Sequence, residues 1–102
     1  MATRETKLKK QVRDYLRLKG WFVFHVLQGL GAYKGVSDLI AIKEGKTIFL
    51  ECKAPEGIDK NGRKKPAGKQ SENQIQFEAD IKAHGGSYYV IRSVEDVIEV
   101  IG

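Results

Sequence analysis

Leu39-Ile40-Ala41-Ile42-Lys43-Glu44-Gly45-Lys46-Thr47-Ile48-Phe49-Leu50-Glu51-Cys52-Lys53 holds two apolar runs separated by a short charged segment with a single glycine. Runs of this length, rich in Ile, Leu and Phe and bounded by a turn signal, read as buried strands. Glu44-Gly45-Lys46 has the length and the glycine of a hairpin turn, so Leu39–Ile42 and Thr47–Lys53 are predicted to pair antiparallel. Residues two apart in a strand share a face, which puts Glu51 and Lys53 together and turns Cys52 the other way. Asp38 opens the first of the two strands. Pairing about a turn near Gly45 therefore brings two carboxylates and an ammonium group to one end of the hairpin.

Upstream, Thr3 is placed to cap a helix that runs to about Lys19 and ends at Gly20. Leu8, Val12, Tyr15 and Leu16 form its apolar stripe. At roughly 100° per residue Glu5 falls inside that stripe, while the basic residues mostly lie outside it. Trp21–Leu27 reads as a first strand, and the segment 28–35, with three glycines, as a loop. Downstream, Ala54–Gln70 holds both prolines and five basic residues and reads as a long loop. Ser71 opens a second helix with Gln74 completing a capping box. Gln74, Phe77 and Ile81 share a face, and Gly85-Gly86 stops the helix. Ser87–Arg92 is a fourth strand and Val94–Ile101 a closing helix. The order α-β-β-β-α-β-α predicts an α/β fold, a mixed sheet of about four strands flanked by helices, with the last two strands parallel across a helical crossover.

At 102 residues the chain is expected to form one domain, spanning 1–102, and its 41% hydrophobic content supports a modest core that pairing with a second copy would help. The single cysteine excludes an internal disulfide, as suits a reducing compartment. No signal-peptide pattern and no run of about 20 apolar residues is present, so a soluble, cytoplasmic protein is expected. The net charge of +5 is concentrated in two clusters, Arg4 to Lys19 and Lys60 to Lys69. Two basic clusters on a small domain suit a polyanion such as nucleic acid. Lys7, Lys10, Lys34, Lys60, Arg63, Lys64, Lys65 and Lys69 are the expected backbone contacts.

Two adjacent carboxylates repel and raise each other's pKa unless a cation neutralises them. Mg²⁺ does so with one or two protein carboxylates, completing its shell with water and phosphate oxygens. Such an ion polarises a phosphodiester and lowers the pKa of a bound water. A lysine beside it can orient the attacking water or offset charge at phosphorus. Glu5, on the inward face of the first helix, is a candidate to reach the same ion.

Gly35-Val36-Ser37-Asp38 followed by Glu51-Cys52-Lys53 resembles the PD-(D/E)xK nuclease signature. Within that superfamily nearly the whole chain resembles the VRR-NUC family of small phage-type and repair nucleases. The shared features are a leading helix with a glutamate, a strand ending in Glu-x-Lys, a basic loop, and a helix with an early glutamine, here Gln74. Ser37 stands where the family usually has a proline that shapes the backbone. The resemblance implies a restriction-endonuclease-like fold and Mg²⁺- or Mn²⁺-dependent cleavage of DNA. It implies Asp38, Glu51 and the backbone carbonyl of Cys52 as metal ligands, Lys53 acting on the attacking water, and Glu5 and Gln74 as accessory groups. Stand-alone members of this size resemble Holliday-junction resolvases, DNA repair and recombination enzymes that cut branched DNA as homodimers. Two other readings stay open: a non-catalytic DNA-binding module on the same fold, and a sequence-specific restriction-type endonuclease. Structural explanations also exist for single residues. Gln74 is accounted for by its capping box, and Glu5 by the favourable helix-end position of an acid.

Overall fold

A computed structural model of the chain describes residues 3–27 and 33–101. The elements are α1 (Arg4–Leu18), β1 (Phe22–His25), β2 (Leu39–Lys43), β3 (Lys46–Cys52), β4 (Gly57–Ile58), β5 (Lys64–Lys65), α2 (Glu72–Ala83), β6 (Ser87–Ile91) and α3 (Val94–Ile101). Four strands form one sheet in the order β1-β2-β3-β6. The first two pairs are antiparallel, and β3 and β6 are parallel across the α2 crossover. This is the mixed four-stranded sheet that the hydrophobic pattern predicts. The first strand is shorter than its apolar run, and residues 28–32 of the expected glycine loop lie outside the described residues.

Two apolar layers hold the sheet between helices. Leu8, Val12 and Leu16 of α1 and Val97 of α3 pack on Val23, Leu39, Ala41, Ile48, Leu50, Cys52 and Ile91. On the other face Phe77 of α2 meets Val36 and Tyr88, with Phe49 edge-on at 5.8 Å between ring centroids. The alternation Ile48, Leu50, Cys52 against Phe49, Glu51 gives each layer its own half of β3. Among the described residues no helix is long and apolar enough to cross a membrane.

The local signals act as expected. Thr3 Oγ1 accepts the Thr6 amide at the start of α1. Gly20 (φ 88°) and Gly85 (φ 81°) end α1 and α2. In both cases the next residue returns its amide to the helix, Trp21 to Leu16 and Gly86 to Ile81, which is the 6→1 bond of a Schellman stop. The β2–β3 turn is tighter than the three-residue expectation. Lys43 pairs with Lys46, leaving Glu44 (φ 51°) and Gly45 (φ 80°) as a two-residue turn with both φ positive, the geometry that matches strand twist.

The reading of Ala54–Gln70 as an unstructured loop needs correction. It contains a small ribbon in which β4 pairs antiparallel with β5. Asp59 organises the tip, its Oδ1 accepting the amides of Asn61 (2.8 Å) and Arg63 (2.9 Å). At the root the Gly68 amide donates to the Ala54 carbonyl (2.9 Å), and Arg92 Nη1 donates to the carbonyls of Ala54 and Gly68. The arm is thus closed at both ends by hydrogen bonds rather than by apolar packing.

Gly35 sits at φ +83°, where a side chain is strained, and a Cβ there would lie 2.1 Å from the Asn73 carbonyl oxygen. The segment leading to Asp38 crosses the first turn of α2 at a distance only glycine permits. Gly35→Ala is expected to lower stability by at least about 2 kcal/mol, from the positive φ and the backbone clash together. Denaturant unfolding checks it; an alanine variant within about 0.5 kcal/mol of wild type would contradict the close crossing.

Candidate active site

The β2–β3 register pairs Leu39 with Leu50. One step further along the same ladder sets Asp38 opposite Glu51. Asp38 is fixed from three sides. Its carbonyl accepts the Val26 amide at 2.9 Å, Oδ2 accepts the Cys52 amide at 2.8 Å, and Oδ1 lies 3.2 Å from Lys9 Nζ.

Glu51 is 1% exposed. Its Oε1 accepts a hydrogen bond from Gln74 Nε2 at 2.7 Å, and Lys53 Nζ stands 3.7 Å away. Its Oε2 is buried with no hydrogen-bond partner among the described residues. Burial first, and the Asp38 charge next, push the Glu51 carboxyl up to about 8, with Lys53 and Lys9 pulling the other way. A buried acceptor left unpaired costs on the order of 1–3 kcal/mol. Such a cost persists where something else satisfies the group during function.

Lys53 Nζ also lies 3.9 Å from Glu5 Oε1. At these lengths the contacts are charge pairings rather than hydrogen bonds, and they leave the ammonium poised between two carboxylates. Gly68 lines this corner; a Cβ there would meet Glu5 Oε1 at 3.3 Å and Lys53 Cβ at 3.6 Å. Cys52 presents only its backbone here. Its side chain is buried in the core, and burial raises its thiol to about 12, so it is inert as a nucleophile.

No group of three or more His, Cys, Asp or Glu side chains with metal-binding geometry occurs among the described residues. That argues against a structural zinc centre. It does not conflict with a hard divalent ion, which needs only one or two carboxylates besides water and phosphate oxygens. The unpaired Oε2 of Glu51, a carboxyl that lies near Asp38, is the donor such an ion requires. The residues present fit.

No family model matches the sequence, and no curated protein sequence matches it. Among solved structures, one described as a VRR_NUC domain is similar with a TM-score of 0.73 at 21% identity, covering 98% of this chain and 96% of that one. The chain has the VRR-NUC fold. A second similar structure is Archaeoglobus fulgidus Hjc, described as a Holliday junction resolvase from an archaeal hyperthermophile. Its TM-score is 0.53 at 14% identity, over 86% of this chain and 67% of that one. Both likenesses are of the restriction-endonuclease-like fold.

Within the VRR-NUC fold of this chain, Asp38, Glu51, Lys53 and Gln74 converge, and Glu5 joins them through Lys53. The two explanations of Gln74 hold at once: its Oε1 accepts the Ser71 amide at 2.8 Å to close the capping box while its Nε2 holds Glu51. Lys60, Arg63, Lys64 and Lys65 are exposed on the ribbon, and Lys10, Lys34 and Lys69 are exposed elsewhere. Lys7 is exposed too, in a groove with Arg4, Gln11, Pro55 and Arg92 on the flank of α1 away from Glu5. Lys9 escaped the sequence reading. The signal was its spacing of four from Glu5, which puts both on one flank of the helix.

Proposed function

We propose that the protein is a divalent-metal-dependent endodeoxyribonuclease acting on branched DNA, with Asp38, Glu51 and Lys53 as its catalytic centre. The observation that carries this reading is the buried acidic pair. Glu51 keeps an unpartnered oxygen, lies against a second carboxylate and has a lysine alongside, an arrangement too costly to retain as mere packing. Asp38, Glu51 and the Cys52 carbonyl would hold Mg²⁺ or Mn²⁺, which when bound supplies charge to polarise the phosphodiester and acidify a water. Gln74 holds one oxygen of the Glu51 carboxylate, so that the other would be left to the ion. Lys53, restrained by Glu51 and Glu5, orients the attacking water and offsets charge developing at phosphorus. Hydrolysis then leaves a 5′-phosphate and a 3′-hydroxyl.

The basic residues of the ribbon, with Lys10, Lys34 and Lys69, hold the sugar–phosphate backbone. Contacts of this kind position DNA without reading its sequence. A similar fold in a protein described as a Holliday junction resolvase favours junctions as substrate. A homodimer, with one site for each strand cut, is the working unit that the resemblance of the sequence to such resolvases implies.

The test is a titration of Mg²⁺ and Mn²⁺ against labelled four-way junction, flap, single-stranded and linear DNA. Cleavage that needs the metal and prefers the junction is expected. Salt-sensitive binding with no nicking at any metal concentration would instead identify a binding module on the same fold.

A further inference from the structure

We infer that the flank of α1 bearing Lys9, Arg13 and Arg17 is a docking track for a DNA phosphate backbone, leading that strand to the Asp38–Glu51 pair. The inference rests on the nuclease reading of that pair. The three cations recur at intervals of four along α1, so each step rises about 6 Å along the helix. From Lys9 to Arg17 the row covers about 12 Å, close to the rise of three or four nucleotides of one strand in a duplex.

The row is anchored to the site at one end, where Lys9 Nζ lies 3.2 Å from Asp38 Oδ1. Its middle member crosses to the first strand, with Arg13 Nη1 3.4 Å from His25 Nε2. His25 is the ladder partner of Leu39, the residue after Asp38. The cations therefore follow the helix outward from the acidic pair and over the end of β1. Besides burial, the charges of Arg13, Lys9 and Arg17 all act to lower the His25 pKa, a sign of concentrated positive potential on this flank.

Arg13 also contacts Asp14 Oδ1 through Nε and Nη2. Asp14 is exposed, and a surface pair of this kind is worth under about 1 kcal/mol. The Nη1 edge faces away from it, toward His25.

These charges have another possible purpose. β1 is an edge strand of the sheet, and cations beside an edge discourage pairing with other chains. That explanation predicts no effect on DNA binding, so the two can be separated.

The experiment measures binding of labelled duplex DNA by the full chain in EDTA, across about 50–200 mM salt. Each phosphate contact contributes about 0.9 to the slope of log K against log salt. Arg13→Ala/Arg17→Ala is expected to make the slope shallower by about 1.8, and Arg13→Gln/Arg17→Gln, which keeps part of each stem, to do the same. Lys46→Ala, at the β2–β3 turn and so at the other end of the hairpin from Asp38, is expected to leave the slope unchanged. A wild-type slope in both double variants, or an equal change in Lys46→Ala, overturns the track. Failure of the wild-type protein to cleave any DNA in Mg²⁺ overturns the nuclease reading instead, and cleavage with an unaltered slope overturns the track alone.

Discussion

Asp38→Asn is expected to bind DNA as the wild type does and to cleave it at least about 10³-fold more slowly, a loss of about 4 kcal/mol in transition-state stabilisation. Asparagine keeps an oxygen where the Cys52 amide donates at 2.8 Å, so the β2–β3 end stays closed. It removes the charge that Lys9 meets at 3.2 Å and half of the acidic pair. Asp38→Ala is expected to abolish cleavage too, but it orphans the Cys52 amide and adds a folding cost on the order of 1–3 kcal/mol. Comparing the two separates chemistry from scaffold. Single-turnover cleavage at saturating protein, together with thermal melting, makes the measurement. An asparagine variant that cleaves at the wild-type rate removes Asp38 from the catalytic centre.

The second large effect is on stability, and it changes sign with metal. The Glu51 carboxyl is raised from 4.5 to about 8 by burial and by Asp38. In the folded state it therefore holds its proton where the unfolded chain has lost it. Its contribution is fully present below about pH 4.5 and declines as pH rises through about 8, at on the order of 1 kcal/mol per pH unit. The metal-free protein should therefore melt at a lower temperature at pH 8 than at pH 5.5. Glu51→Gln is expected to flatten that decline and raise the metal-free melting temperature at pH 8. Mg²⁺ or Mn²⁺ favours the ionised pair, so added metal should stabilise the wild type far more at pH 8 than at pH 5.5, and the glutamine variant hardly at all. Equal metal-induced shifts in wild type and Glu51→Gln would contradict binding at this carboxylate.

The helix ends, the hairpin and the acidic pair were legible in the chain because each is written locally. Thr3, Gly20, Ser71 and Gly85 act within a turn of themselves, and a two-strand ladder with a short turn allows little choice of register. The β4–β5 ribbon was not legible. Its strands are two residues long, Lys64-Lys65 shows no apolar alternation, and its order comes from the Asp59 carboxylate and from Arg92, far along the chain. Lys9 was hidden for another reason. A helix stripe is recognised by its apolar members, and a lysine at the margin counts as solvated surface until the partner across the sheet, Asp38, is known. Sequence patterns assign a residue one role, whereas the Gln74 carboxamide has a separate oxygen and nitrogen to give.

That shared carboxamide ties fraying of a helix end to the hold on the buried acid. Unravelling the first turn of α2 and letting go of the buried carboxylate become a single event, since one side chain spans both. The rigidity of the Glu51 carboxylate is then capped by the opening free energy of a helix end, typically among the least protected parts of a domain. Amide hydrogen exchange at Gln74 and Ile75 becomes a reporter of how long the Glu51–Gln74 bond stays closed, and a change at the Ser71 cap becomes a means of loosening it.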